Sequence, residues 1–123
     1  MIGIFGTYAA DRQRPIDLSE MAATVPETYA RAQKVGDGCG LGIAHHRHGI
    51  GSSHARDGVF SAVVTGEIFN AAELEDGSPG MVEDTLANCL IRLAKAGSLE
   101  RLTEANGLFS AAIYNSAEHR LTL

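Results

Sequence analysis

Cysteine is scarce in this chain: Cys39 and Cys89 are the two among 123 residues. They lie far apart and in no paired motif, which excludes a zinc knuckle and a disulfide scaffold and leaves each as a small buried residue. Basic side chains are also few. Ten Lys and Arg face fifteen Asp and Glu, giving a formal charge of −5, and the basic residues are scattered rather than clustered. A nucleic-acid or anionic-membrane surface needs the opposite, because clustered cations are what displace counterions. No apolar run approaches the roughly 20 residues that span a bilayer, and the first residues lack the basic stretch and long apolar core of a secretory signal. A soluble, cytoplasmic protein is therefore expected. Gly36, Gly38, Gly40 and Gly42 alternate with other residues instead of forming a phosphate loop ending in Gly-Lys-Ser/Thr. There is no internal repeat, low-complexity tract or linker.

What is present suits one compact domain, with 45% hydrophobic residues and enough length to bury a sizeable core. Alternation and short apolar runs predict strands over about residues 2–9, 40–50, 59–66, 108–115 and 120–123. Between the first two, Asp17-Leu18-Ser19-Glu20-Met21 opens a helix that Pro26 must break into two pieces. From Val82 to Ala96, the apolar positions Leu86, Cys89, Leu90 and Leu93 recur at helical spacing. Gly97 then supplies a stop, and Ser98 caps a second helix through about Ala105. Asp76-Gly77-Ser78-Pro79-Gly80 is the strongest loop signal. This order of strands and helices predicts an α+β layered fold.

Several segments also match a known family in order. The opening Met1-Ile2-Gly3-Ile4-Phe5-Gly6 resembles the Met-Cys-Gly-Ile-Phe-Gly start of class II glutamine amidotransferases. Thr65-Gly66-Glu67-Ile68-Phe69-Asn70 resembles that family's Asn-Gly-Glu-Ile-Tyr-Asn corner. Glu83-Asp84-Thr85-Leu86 is similar to its Ser-Asp-Thr-Glu helix, and Gly107–Asn115 to its Gly-Met-Phe-Ala-Phe-Ala-Leu-Tyr-Asp strand. The nearest likeness is to the glutaminase domain of asparagine synthetases, and it covers residues 1–123 apart from a poorly matched stretch between Ala9 and Gly40. It implies the N-terminal-nucleophile (Ntn) hydrolase fold, an αββα sandwich of antiparallel sheets, here truncated at its C-terminal end.

The resemblance also implies a site, and this chain supplies it in part. Arg47 matches the arginine whose planar donors hold the substrate's α-carboxylate, and Glu67 and Asp84 match the acidic positions that meet its α-ammonium. The nucleophile is missing. The family's cysteine attacks the glutamine amide with its own α-amine as base, and Ile2 has no lone pair to offer. Thr65 replaces the asparagine of the oxyanion hole, although Gly66 retains the backbone N–H; losing one such donor costs about 10²–10³ in rate. Leu86 stands where the family has glutamate, and its Arg-Gly-Pro-Asp loop is met only by Lys34-Val35-Gly36-Asp37. Each site residue has a plainer rival role: Arg47 on an edge strand, Glu67 favoured at a helix start, Asp84 as a helix cap, and Thr65-Gly66-Glu67 as a sharp turn where strand feeds helix.

His45, His46, His48 and His54 cluster in sequence, but on a strand at most two would share a face, and no acidic residue accompanies them at helical spacing; no metal site is expected. The chain has no Ser-Gly-Gly-x-Asp-Ser nucleotide loop, so no cofactor is expected in it. ATP and magnesium belong to a linked or partner synthetase domain. The expected function is an asparagine-synthetase-like glutaminase domain without glutaminase activity, the structural or regulatory part of an ATP-dependent amide-forming synthetase or cyclase. Expected partners are that synthetase domain or chain, glutamine or another amino acid, and a second copy of itself. Two alternatives stand beside it: a stand-alone module binding a small amino acid through Arg47, Glu67 and Asp84, and a working cysteine enzyme altered at Ile2.

Overall fold

The computed structural model describes residues 3–11, 18–19, 30–36, 38–44, 52–75 and 85–123. Three strands form the first sheet: β1 (Gly3–Tyr8), β2 (Ala30–Gly36) and β3 (Cys39–Ala44), with β3 in the centre and both pairings antiparallel. Four form the second: β4 (Ser52–Asp57), β5 (Phe60–Ile68), β6 (Gly107–Asn115) and β7 (Arg120–Thr122), in sequence order and antiparallel throughout. A one-turn helix α1 (Ala71–Leu74), a longer α2 (Leu86–Lys95) and a 3-10 helix (Leu99–Glu104) connect β5 to β6. The protein is thus α+β, with two antiparallel sheets and few helices. No described helix is long and apolar enough to cross a membrane.

Strand periodicity explains the layering. Successive residues of β5 point to opposite faces, so Ala62, Val64 and Ile68 pack with Ala87, Leu90, Ile91 and Leu93 of α2. Val63 points the other way and packs with Ala112 and Tyr114 on Cys39, Leu41 and Ile43 of the first sheet. The second sheet is therefore covered on both faces. A fully covered strand reads as a near-continuous apolar run, and Phe60–Val64 is one apart from the buried Ser61. Helix α2 is capped by Thr85, whose Oγ1 accepts from Asn88 N at 3.4 Å. The helix ends as Gly97 predicts: Gly97 N donates to Ala94 O and Ser98 N to Leu93 O, with Gly97 at φ 69°, the paired bonds of a Schellman stop. Ser98 precedes a 3-10 helix rather than an α-helix and makes no side-chain cap bond.

Two strands were not expected. Ala30–Gly36, which reads as helix-to-loop, is β2; its sequence has little strand propensity, and pairing with β3 decides its form. Lys34-Val35-Gly36 is accordingly strand and not loop. Ser52–Asp57 is β4, an edge strand too polar for an apolar-run signal, joined to β5 by Gly58 and Val59. Its two-residue link, Gly58-Val59 with Gly58 at φ 60°, is a hairpin turn of the glycine-first kind. The expected strand 40–50 is seen as β3 over Cys39–Ala44. The rest of it, the helix after Asp17 apart from buried Leu18 and helical Ser19, the 76–80 loop and the start of the 82–96 helix lie outside the described residues.

Both cysteines are buried as expected. Burial of Cys39 disfavours its thiolate and raises its pKa from 9.0 to about 11. Because the folded value lies above the unfolded one, this group's contribution is intact below pH 9 and is lost as pH rises toward 11. Two outcomes are expected. Cys39 should stay unreactive toward alkylating reagents at pH 8 in the native protein and react on unfolding in urea, read by mass spectrometry. Replacing Leu90, which is fully buried, with alanine should cost about 2–5 kcal/mol in urea unfolding with an unchanged slope.

Candidate functional site

The described part of the site is the end of β5. Residues 61, 63, 65 and 67 share the face turned to the first sheet, and the register places Ser52, Thr65 and Ser110 side by side across β4, β5 and β6. They form a row of three hydroxyl residues on that face. Thr65 is buried, and the Ser52 Oγ is buried with no hydrogen-bond partner among the described residues. Glu67 follows one step along the same face and is exposed, opposite the exposed Leu108. The exposed Glu67 carboxylate can meet a cation, and the three hydroxyls, buried at Ser52 and Thr65 and exposed at Ser110, can each give and accept a hydrogen bond.

Gly66 sits between them for a steric reason. Its φ is 100°, and a Cβ there would fall 2.0 Å from the Leu108 carbonyl oxygen. A Cβ on Gly107 would likewise fall 2.0 Å from the Glu67 oxygen. The two backbones therefore touch where β5 and β6 cross this register. The strand nevertheless runs on through Ile68, so the change of direction expected at Gly66 comes later, at Phe69 and Asn70. Asn70 fixes it. Its Nδ2 donates to Glu104 O at 2.9 Å, its Oδ1 accepts from Asn106 N at 2.7 Å, and Phe69 N donates to Asn106 O at 2.7 Å. Its own carbonyl starts α1 by accepting from Glu73 N at 3.0 Å. Arg92 then holds α1 to α2 with two bonds to Glu75 of 2.7 and 2.8 Å.

Strand β1 is oriented by a three-residue clasp that sequence reasoning missed. The Tyr8 hydroxyl donates to the His119 carbonyl at 2.7 Å, and the Tyr8 ring stacks on the imidazole with centroids 4.9 Å apart. His119 Nε2 lies 2.8 Å from Ala9 O, an acceptor only, so Nε2 carries the hydrogen; Nδ1 is 2.8 Å from the Tyr114 hydroxyl. The clasp ties the far end of β1 to the turn after β6. Ile4 packs against the core cluster that contains Val63 and Ala112, and residues 4–8 of β1 line one cavity with residues 109–113 of β6. Only a signal from distant residues could have exposed the clasp, since Tyr8 and His119 are 111 positions apart.

Of the residues anticipated from sequence, the structure brings Thr65, Gly66 and Glu67 together at one sheet end. Ile2, Arg47 and Asp84 lie outside the described residues, as do His45, His46 and His48; His54 is exposed on β4. Among the described residues no group of three or more metal-ligating side chains occurs.

The corner makes a graded expectation. Gly66→Ala should destabilise by about 2–4 kcal/mol, because positive φ and backbone overlap add. Gly97→Ala should cost only about 1 kcal/mol, since its φ is also positive but nothing lies within 4 Å of the added carbon. Thermal and urea denaturation of the two variants gives the order. No family model and no curated protein matches the chain.

Proposed function

We propose that this is a glutaminase-like domain of the asparagine synthetase type that no longer hydrolyses glutamine. It serves instead as the structural or regulatory part of a cytoplasmic, ATP-dependent amide-forming system whose nucleotide chemistry resides in another domain or chain. What supports the reading is the order in which the matched segments occur, with Thr65, Gly66 and Glu67 at one sheet end and β1 lining the same cavity as β6. Two parts of the machinery are changed. Ile2 offers no nucleophilic atom, and Thr65 offers a short hydroxyl where an amide side chain would reach further. An Ntn-type sandwich of antiparallel sheets is consistent with sheets stacked face to face under a helical layer.

The purified protein should release no ammonia from glutamine, and calorimetry with glutamine, glutamate and asparagine should give no binding heat. Measurable ammonia release that blocking the α-amine abolishes would sink the proposal, whereas heat without turnover would favour an amino-acid-binding module. The paired variant Ile2→Cys with Thr65→Asn, with Met1 removed, should regain glutaminase activity above the Ile2→Cys single variant by about 10²-fold, the usual weight of one oxyanion donor.

A further inference from the structure

Four asparagines occur in the chain, at positions 70, 88, 106 and 115, and the structure sets one apart from the others. The Asn70 side chain is engaged at both ends, by Nδ2 to Glu104 O and by Oδ1 from Asn106 N. Asn115 is buried, and its Oδ1 accepts from Ala117 N at 3.0 Å and from Glu118 N at 3.2 Å. Asn88 lies in the first turn of α2, where helical hydrogen bonds fix the main chain. Asn106 is exposed, sits in the short link between the 3-10 helix and β6, and is followed by glycine. Its hydrogen bonds run through the main chain: N donates to Asn70 Oδ1, and O accepts from Phe69 N.

Backbone packing imposes the glycine, because a Cβ on Gly107 would fall 2.0 Å from the Glu67 oxygen. The same lack of a side chain leaves the Gly107 nitrogen unshielded. The Phe69–Asn106 bond also sets the alternation of the ladder, so Gly107, opposite Ile68, stands at a position that exchanges no hydrogen bond with β5. We propose that Asn106 is a spontaneous modification site, at which the folded chain loses a side-chain amide and reroutes its own backbone. The Gly107 nitrogen attacks Asn106 Cγ. An N–Cγ bond forms, the Cγ–Nδ2 bond breaks, and Nδ2 leaves as ammonia with the hydrogen that Gly107 gives up. Water then opens the cyclic imide. Addition at Cγ yields aspartate; addition at the former main-chain carbonyl yields isoaspartate, whose link to Gly107 runs through Cβ and Cγ. Nothing is oxidised or reduced, and water is the sole co-reactant. Isoaspartate lengthens the main chain where β6 enters the sheet, at the point where Gly107 and Glu67 already touch. The bonds of residue 106 to Asn70 and Phe69 are then incompatible with Gly107 in register, and the corner opens. The proposal is independent of glutaminase ancestry and survives if that reading fails.

The test incubates the purified chain, folded, at pH 8 and follows trypsin digests by tandem mass spectrometry. Residues 102–120 form one tryptic peptide that carries both Asn106 and Asn115, so each reports on the other. Conversion to the acid is expected at least about tenfold faster at Asn106 than at Asn115, with isoaspartate, detected by enzymatic methylation of the digest, as the larger product. Asn106→Gln keeps the main-chain bonds and should abolish the isoaspartate signal from this peptide. The converted protein carries one more negative charge; its isoaspartate form, separated by ion exchange, should unfold at lower urea than fresh protein, whereas Asn106→Asp should unfold with fresh protein. Equal rates at the two asparagines, aspartate without isoaspartate, or conversion of Asn106 only after the chain is unfolded in urea would overturn the proposal. An unchanged urea midpoint in the isoaspartate form would overturn the opening of the corner.

Discussion

Everything in this structure is hung on the double-sided burial of β5. A strand with apolar residues on one face needs one partner layer; Phe60–Val64 has them on both, and two layers must form. Val64 and Ile68 recruit α2, and Val63 recruits Cys39, Leu41 and Ile43. Neither core closes without this strand, which with its neighbour β6 contributes residues to both. Its register with β6 also decides which residues reach the sandwich end. Shifting that register by one position would exchange Thr65 with Val64 and turn the hydroxyl row toward the helix.

The end of β5 is then determined by backbone contact more than by side-chain chemistry. Gly66 and Gly107 allow two main chains to approach where any Cβ would collide, and Asn70 closes the corner with bonds to the chain entering β6. The clasp of Tyr8, Tyr114 and His119 is similar in kind: it sets the course of β1 from the opposite end of the sandwich, using a backbone carbonyl on each side.

What could be read from sequence follows from how local each signal is. Strands β1, β5 and β6 and helix α2 announce themselves because their apolar residues are contiguous or helically spaced, and the Gly97 stop is a local backbone requirement. β2 and β4 did not, since Ala30–Gly36 and Ser52–Asp57 are held by pairing to a neighbour and carry no apolar face of their own. Thr65, Gly66 and Glu67 are legible as a group through the resemblance, but the reason for Gly66 is not. It accommodates Leu108 from another strand, a contact 42 positions away, and not a turn in its own segment. Asn70 and His119 were passed over because a lone polar residue in a turn gives no sign of the distant carbonyls it will meet.

This separation has a consequence for how such a domain can change. On the proposed reading, isoleucine at position 2 removes a reactive atom. Thr65 is buried in the row with Ser52 and Ser110, where its hydroxyl keeps a hydrogen-bonding group that an apolar residue would remove. Gly66 and Asn70 have no such latitude. Folding constrains them whether or not any substrate binds, and a chain free to lose its chemistry would still be held to these two residues at the corner.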